Sequence, residues 1–188
     1  MANLHVFNNV SLDGYFVDGR GDMSWAHTQD EEWNAFTSQN ASGGGMLLFG
    51  RVTYEMMAGF WPSAQAMQMM PEVAEGMNAA QKVVFSRSLQ RAEWQNTRLV
   101  KDDLVGEVRR MKNTLGQPDM VVLGSGSIVA QLAQENLIDS YQIVVHPLVL
   151  GSGRTLFEGV RQPLPLQLTH SRAFRNGNVV LSYTAVGS

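Results

Sequence analysis

The sequence predicts an α/β fold on a mixed sheet, mostly parallel with antiparallel strands at the carboxyl end, and three observations carry that reading. Short apolar runs alternate with helical patterns along the first two thirds of the chain, the rhythm of strands joined by crossover helices. Met46-Leu47-Leu48-Phe49 and the run from Met120 to Leu123 are continuously apolar, as strands buried on both faces are. Asn176-Gly177 separates two β-type runs, and that dipeptide signals a tight hairpin.

Taken in order, Leu4 to Val10 is a short apolar and β-branched run ended by Ser11-Leu12-Asp13-Gly14, a strand entering a turn. Asp18-Gly19 prolongs that loop to about Trp25. Thr28 to Ala41 reads as an amphipathic helix with Asp30, Glu31 and Glu32 in its first turn, where carboxylates complement the helix dipole. Gly43-Gly44-Gly45 stops it. After the buried strand at Met46 to Phe49, a helix starts near Val52. Lys82 to Phe85 and Arg98 to Val100 read as strands, Asp102 to Leu115 as a helix, Met120 to Leu123 as a strand, and Ile128 to Gln134 as a helix. The last third predicts a strand from Tyr141 to Val145, then a loop through Pro147 and Gly151-Ser152-Gly153. Leu166 to Arg175 and Asn178 to Ala185 then form a hairpin with a type I′ turn. No repeat, low-complexity tract or linker interrupts the chain, so residues 1–188 read as one domain.

Composition excludes several functions. With 14 basic and 17 acidic residues the net charge is −3, and the charged fraction of 16% gives no electrostatic support for binding nucleic acid or an acidic membrane. A hydrophobic content of 44% excludes wholesale disorder. The absence of cysteine removes disulfides, thiolate metal sites and thiol nucleophiles together. No basic leader with a long apolar run opens the sequence and no membrane-length apolar stretch follows, so a cytoplasmic protein is expected. His5, His27, His146 and His170 lie far apart without ligand spacing, and no metal is expected.

Three strand-to-helix junctions have a composition suited to anions: Gly50-Arg51-Val52-Thr53, Ser86-Arg87-Ser88 and Gly124-Ser125-Gly126-Ser127. A helix amino terminus offers unpaired N–H groups and partial positive charge, and glycine lets a phosphate come close to the backbone. Each segment alone reads equally as a tight turn. Three along one sheet edge, two with an arginine, point to a phosphorylated ligand. The third segment lacks the last glycine of a Rossmann fingerprint, no Gly-Lys pair exists for a Walker loop, and there is no Gly-x-Ser-x-Gly elbow. Met67, Met69, Met70 and Met77, with Trp25, Trp61 and Trp94, read as packing or pocket wall.

The ordered set of short motifs resembles the dihydrofolate reductase-like superfamily, and within it the reductase domain of the bifunctional riboflavin-pathway deaminase-reductase. The motifs are Ser11-Leu12-Asp13-Gly14-Tyr15, Gly50-Arg51-Val52-Thr53-Tyr54-Glu55, Phe60-Trp61-Pro62, Lys82 to Leu89, Gly124-Ser125-Gly126, and Pro147 to Gly153 running into Leu156-Phe157. The resemblance implies a three-layer fold with helices flanking a twisted mixed sheet, NADPH as cofactor, a small pterin- or aminopyrimidine-like substrate and a homodimer. It also implies that Gly50, Arg51 and Thr53 contact cofactor phosphates, Ser86, Arg87 and Ser88 surround the adenosine 2′-phosphate, and Gly124, Ser125, Gly126 and Ser127 cradle the pyrophosphate. The chain departs from the riboflavin-pathway pattern at Tyr15, where a basic residue is usual, and near Gly124, where an acid is usual. For the proton donor, Asp13 is the first candidate, as an acid shielded from water with a raised pKa at the edge where the nicotinamide would lie. Asp30 and Asn34 stand near the position of the dihydrofolate reductase acid. Two functions follow: an NADPH-dependent reductase acting on a C=N or C=O of a small heterocycle, or a non-catalytic NADP(H)-binding module of the same fold.

Overall fold

The computed structural model describes residues 1–27, 30–42 and 44–186. Eight strands form one sheet in the order β5-β4-β3-β6-β1-β7-β10-β9. The strands are β1 (Leu4–Ser11), β3 (Met46–Gly50), β4 (Lys82–Phe85), β5 (Thr97–Val100), β6 (Met120–Leu123), β7 (Ser140–His146), β9 (Leu166–Ala173) and β10 (Val179–Ala185). Six of them, β5 through β7 in that order, run parallel, and β10 and β9 add antiparallel at one edge. The two continuously apolar runs, β3 and β6, pair with each other in the middle of the sheet, where both faces must be covered.

Helices α5 (Leu104–Asn113) and α6 (Gly126–Gln134) cover one face. Val108, Met111, Val129 and Leu132 pack there against Leu4, Val6, Leu48, Val83 and Val122. The opposite face carries α2 (Arg51–Phe60) and α4 (Pro71–Ala79) over Phe49, Val84 and Trp94, and α1 (Glu31–Ser42) over Val144 and Val180 through Trp33. Lys82 opens β4 almost fully buried, and its ammonium donates to the carbonyls of Met77 at 2.8 Å, Asn78 at 3.1 Å and Ala80 at 2.6 Å. It thereby caps the end of α4, and the ring of Trp94 lies 4.5 Å away. Burial pushes its pKa down to about 8.

Several elements differ from the sequence reading. The segment expected to be loop up to Trp25 contains β2 (Tyr15–Asp18), which pairs antiparallel with β8 (Gly153–Thr155) in a separate two-stranded sheet. Helix α3 (Ala64–Met69) and α4 fill a stretch read from the sequence only as methionines and tryptophans that pack. Helix α1 begins at Glu31 because Asp30 caps it, accepting from the Trp33 N–H at 2.8 Å. Thr28 and Gly43, expected at its two ends, lie outside the described residues. The hairpin turn is not type I′: neither Arg175 nor Asn176 has positive φ, whereas Gly177 has φ +90°. The Gly177 N–H donates to the Phe174 carbonyl at 3.0 Å, and the Phe174 N–H to the Asn178 carbonyl at 2.8 Å. That pattern is a type I turn closed by a glycine bulge, a three-residue loop instead of two. Among the described residues, no helix is long and apolar enough to cross a membrane.

Candidate active site

The carboxyl ends of β3 and β6 meet in a hydrogen-bonded corner. Ser125, at φ +60°, precedes α6 and places its Oγ 2.7 Å from the Gly50 N–H, from which it accepts, and 3.0 Å from Thr53 Oγ1, to which it donates. Gly124, at φ +61°, is pressed so close to α2 that a Cβ there would lie 2.9 Å from Thr53 Oγ1 and 3.0 Å from its methyl. A Cβ on Gly126 would sit 2.7 Å from the Phe16 ring. Glycine here serves close approach of backbone to backbone and ring.

The two helices that start from this corner have no side-chain cap. Elsewhere Asp30, Ser63 and Asp103 accept from the first turns of α1, α3 and α5, and α4 opens with Pro71, which has no N–H to satisfy. The first turns of α2 and α6, left without a side-chain acceptor, line a cavity of about 730 Å³, and in α6 the Ile128 N–H turns back to the Ser125 carbonyl at 2.9 Å. Its lining includes Gly50, Arg51, Thr53, Ser86, Arg87, Gly124, Ser125, Gly126 and Ser127. Sequence reasoning missed Lys101 and Arg154, which face the same space from the end of β5 and from β8. Lys101 lies outside any glycine- or serine-rich junction. Arg154 arrives only through the β2–β8 pairing, and no local signal marks it.

Two expectations change. Ser86-Arg87-Ser88 does not open a helix: the chain after β4 runs irregularly to β5, and Ser86 Oγ accepts from the Leu89 N–H at 3.0 Å. Ser88, 3.4 Å from Ser86 by their hydroxyls, is not part of the cavity lining. Arg87 stands 86% exposed with only Asp102 at 3.5 Å for company, a guanidinium free to turn to a ligand. Arg51 is engaged by Glu55 at 2.8 Å along α2. Gly50 cannot offer its own N–H, since Ser125 holds it.

Asp13 is the larger correction. Its carboxylate accepts from Ser11 Oγ at 2.6 Å, the Gly151 N–H at 2.7 Å and the Leu150 N–H at 3.1 Å. Those donors, the Ser11 hydroxyl first, hold its pKa down at about 2, the reverse of the raised value a general acid needs. Asp13 is an ionised anchor for the loop that follows β7, and it lines neither cavity. Asp30 is likewise committed as a helix cap, and Asn34 on α1 is exposed and lines neither cavity.

A second cavity, of about 550 Å³, lies between the sheet and the α1, α2 and α4 side. It shares Met23, Thr53 and Gly124 with the first, so the two spaces meet at the corner. Phe7, Leu47, Met57, Trp61 and Leu123 give it apolar walls, and Asn8, Asn9 and Gln142 supply amides. Asn8 Nδ2 donates to the Gly124 carbonyl at 3.3 Å, tying β1 to the corner. Asn9 Oδ1 is 2.9 Å from His146 Nε2. Burial lowers the His146 pKa, so this imidazole is neutral at pH 7 and steadies the Asn9 amide. Tyr141, pushed up to about 12 chiefly by burial, keeps its phenol proton. Among the described residues no three acidic or histidine side chains gather as a metal site.

This open α/β sheet, with its hydrogen-bonded corner at the carboxyl ends of the strands, belongs to the dihydrofolate reductase-like class of fold. The chain belongs to the RibD C-terminal domain family, which it matches over residues 2–180. It is 26% identical over 175 residues to the uncharacterized protein YyaP of Bacillus subtilis (strain 168), covering 93% of this chain and 90% of that one. Its fold is that of a putative riboflavin biosynthesis protein from Shewanella sp. PV-4, with TM-score 0.72, 24% identity and 99% of each chain covered. It is also that of the diaminohydroxyphosphoribosylaminopyrimidine deaminase/5-amino-6-(5-phosphoribosylamino)uracil reductase of Thermotoga maritima, with TM-score 0.70 and 13% identity over 98% of this chain and 57% of the other.

Proposed function

We propose that this chain is a reductase in which NADPH, bound in the larger cavity, supplies hydride to a C=N or C=O of a small pterin- or aminopyrimidine-like heterocycle. The carrying observation is the meeting of two cavities at Thr53 and Gly124, one rich in cations and lined by two helix starts without side-chain caps, the other apolar with amides. The cavity chemistry suits the cofactor. Uncapped first turns of α2 and α6 would hold its pyrophosphate, Gly124 and Gly126 would let the backbone approach, and Arg87 would take the 2′-phosphate. Thr53, fixed by Ser125, would set the depth at which the reacting ring lies, and Asn8 and Asn9 would orient the acceptor. Protein and cofactor divide the work in the usual way, the protein binding, orienting and excluding water.

A second reading, a non-catalytic NADP(H)-binding module, is favoured by one specific observation: Met23, Thr53 and Gly124, the residues shared by the two cavities, include no titratable side chain. A reductase built this way takes its proton from water. Following NADPH absorbance with a panel of pterins, aminopyrimidines and quinoid heterocycles separates the readings. The reductase predicts consumption with at least one member, and binding of NADPH without consumption across the panel supports the module.

We also propose a homodimer. Strand β9 lies at the sheet edge with seven of its eight residues exposed, Leu168 at 51%, and such edges are ordinarily covered. Sedimentation should give a dimer at micromolar concentration; a monomer alone would rule it out.

A further inference from the structure

We propose that the second cavity accepts an uncharged heterocycle and rejects acceptors bearing a phosphate or other anionic tail, a selectivity that rests on reading this cavity as the acceptor site. Of the 14 Lys and Arg residues in the sequence, four line the larger cavity and none lines the second. The five residues outside the described set are Thr, Gln, Gly, Gly and Ser, so none of them can supply the missing cation. Lys82, on a strand whose neighbour β3 contributes Leu47 to this cavity, gives its ammonium to three carbonyls at the end of α4. Arg172 is held by Glu32 at 2.8 Å and lies over the Phe174 ring.

The charge that does face the cavity is negative. Asp119 lines its far end, His5 to Asn9 of β1 away from the corner, about 13 Å at the usual rise of a strand. Its carboxylate accepts from the Asn3 N–H at 2.7 Å, with His5 Nε2 at 3.6 Å, and the Asn3 N–H foremost holds its pKa below the ordinary value. The remaining polar groups are neutral: Asn40 Nδ2 donates to Gln142 Oε1 at 2.8 Å, which leaves the Gln142 amide N–H groups and the Asn40 carbonyl for other partners. Amides of this kind pair with the N–H and C=O edges of a planar heterocycle. A phosphate buried among them would lose its hydration without gaining a cation and would meet Asp119 at the far end. The larger cavity, with Arg51, Arg87, Lys101 and Arg154 against Asp102 and Asp103, shows the opposite balance.

The experiment is calorimetry of the full chain, both free and loaded with NADP⁺, against matched pairs: a ribosylated diaminopyrimidinone and its phosphate monoester, and a pterin with a neutral or a phosphorylated side chain. The neutral member of a pair is expected to bind at least about tenfold more tightly. Asn40→Lys, on an exposed position of α1, should close most of that gap by supplying a cation, and Asp119→Asn should narrow it. Equal or tighter binding of the phosphorylated members would overturn the proposal, as would failure of every member to bind at millimolar concentration. Failure of NADP⁺ to bind, with the neutral preference intact in the free protein, would overturn the cofactor reading alone.

Discussion

Helices α2 and α6 begin without a side-chain cap, whereas α1, α3 and α5 begin under a carboxylate or hydroxyl that accepts from the first turn. An N-cap is worth about 1 kcal/mol, so leaving two helices uncapped side by side is a stability cost located where a ligand would recover it. The uncapped pair is cross-linked by Ser125, whose hydroxyl serves the other helix's Gly50 and Thr53 instead of its own first turn. Helix α5 opens on the same cavity under its Asp103 cap, so the contrast between capped and uncapped starts falls within one site.

The sharpest way to break the uncapped corner is Gly124→Val. Its φ of +61° and the 2.9 Å approach to Thr53 leave no room for a branched side chain. NADPH affinity should fall by roughly 100-fold or more, with a loss of stability of about 1–3 kcal/mol from overpacking. Fluorescence titration and thermal melting read the two effects.

Arg87→Ala should act on the phosphate alone. Removing one charged hydrogen-bond donor costs roughly 1.5–3 kcal/mol, so NADPH binding should weaken about tenfold or more while NADH binding stays unchanged. Equal losses for both cofactors would move the 2′-phosphate elsewhere.

A paired comparison sharpens the contrast between the two kinds of helix start. Asp103→Ala removes the cap of α5 and one carboxylate from the lining of the larger cavity, so it should destabilise the fold by about 1 kcal/mol without weakening NADPH binding. Ser125→Ala should do the reverse in emphasis, loosening the corner and costing several-fold in NADPH affinity. If both variants changed only stability, the corner would be another structural cap.

The smallest effect is expected at Asp13. Because its pKa is about 2 in the folded protein against an ordinary value of 3.8, the stabilisation it gives is present above pH 3.8 and is lost as pH falls from there through about 2. Asp13→Asn should leave turnover within a few-fold near neutral pH, flatten acid unfolding in that window, and make the loop around Leu150 and Gly151 more sensitive to protease.

Local chemistry made much of this molecule legible. The bounds of β4 and β6 follow from continuous apolar and β-branched runs, and the presence of a hairpin follows from Asn176-Gly177. The same dipeptide misled on turn type, because the choice between two and three loop residues depends on the register of β9 against β10, not on the dipeptide. Ser86-Arg87-Ser88 resembles a helix start in composition, yet its serine turns back on Leu89 and no periodic apolar face follows.

By itself, the sequence determined the α/β class, the succession of the principal strands along the chain and the two glycine-bearing junctions. These rest on steric and apolar preferences that act over a few neighbouring residues. Only the tertiary structure decided that Ser125 serves Gly50 across 75 positions, that Asp13 anchors the N–H groups of Leu150 and Gly151, 137 and 138 positions away, and that Arg154 joins the cleft. Hydrogen bonds and charge balance across such separations depend on which elements the sheet brings side by side, and no local window of sequence contains both partners.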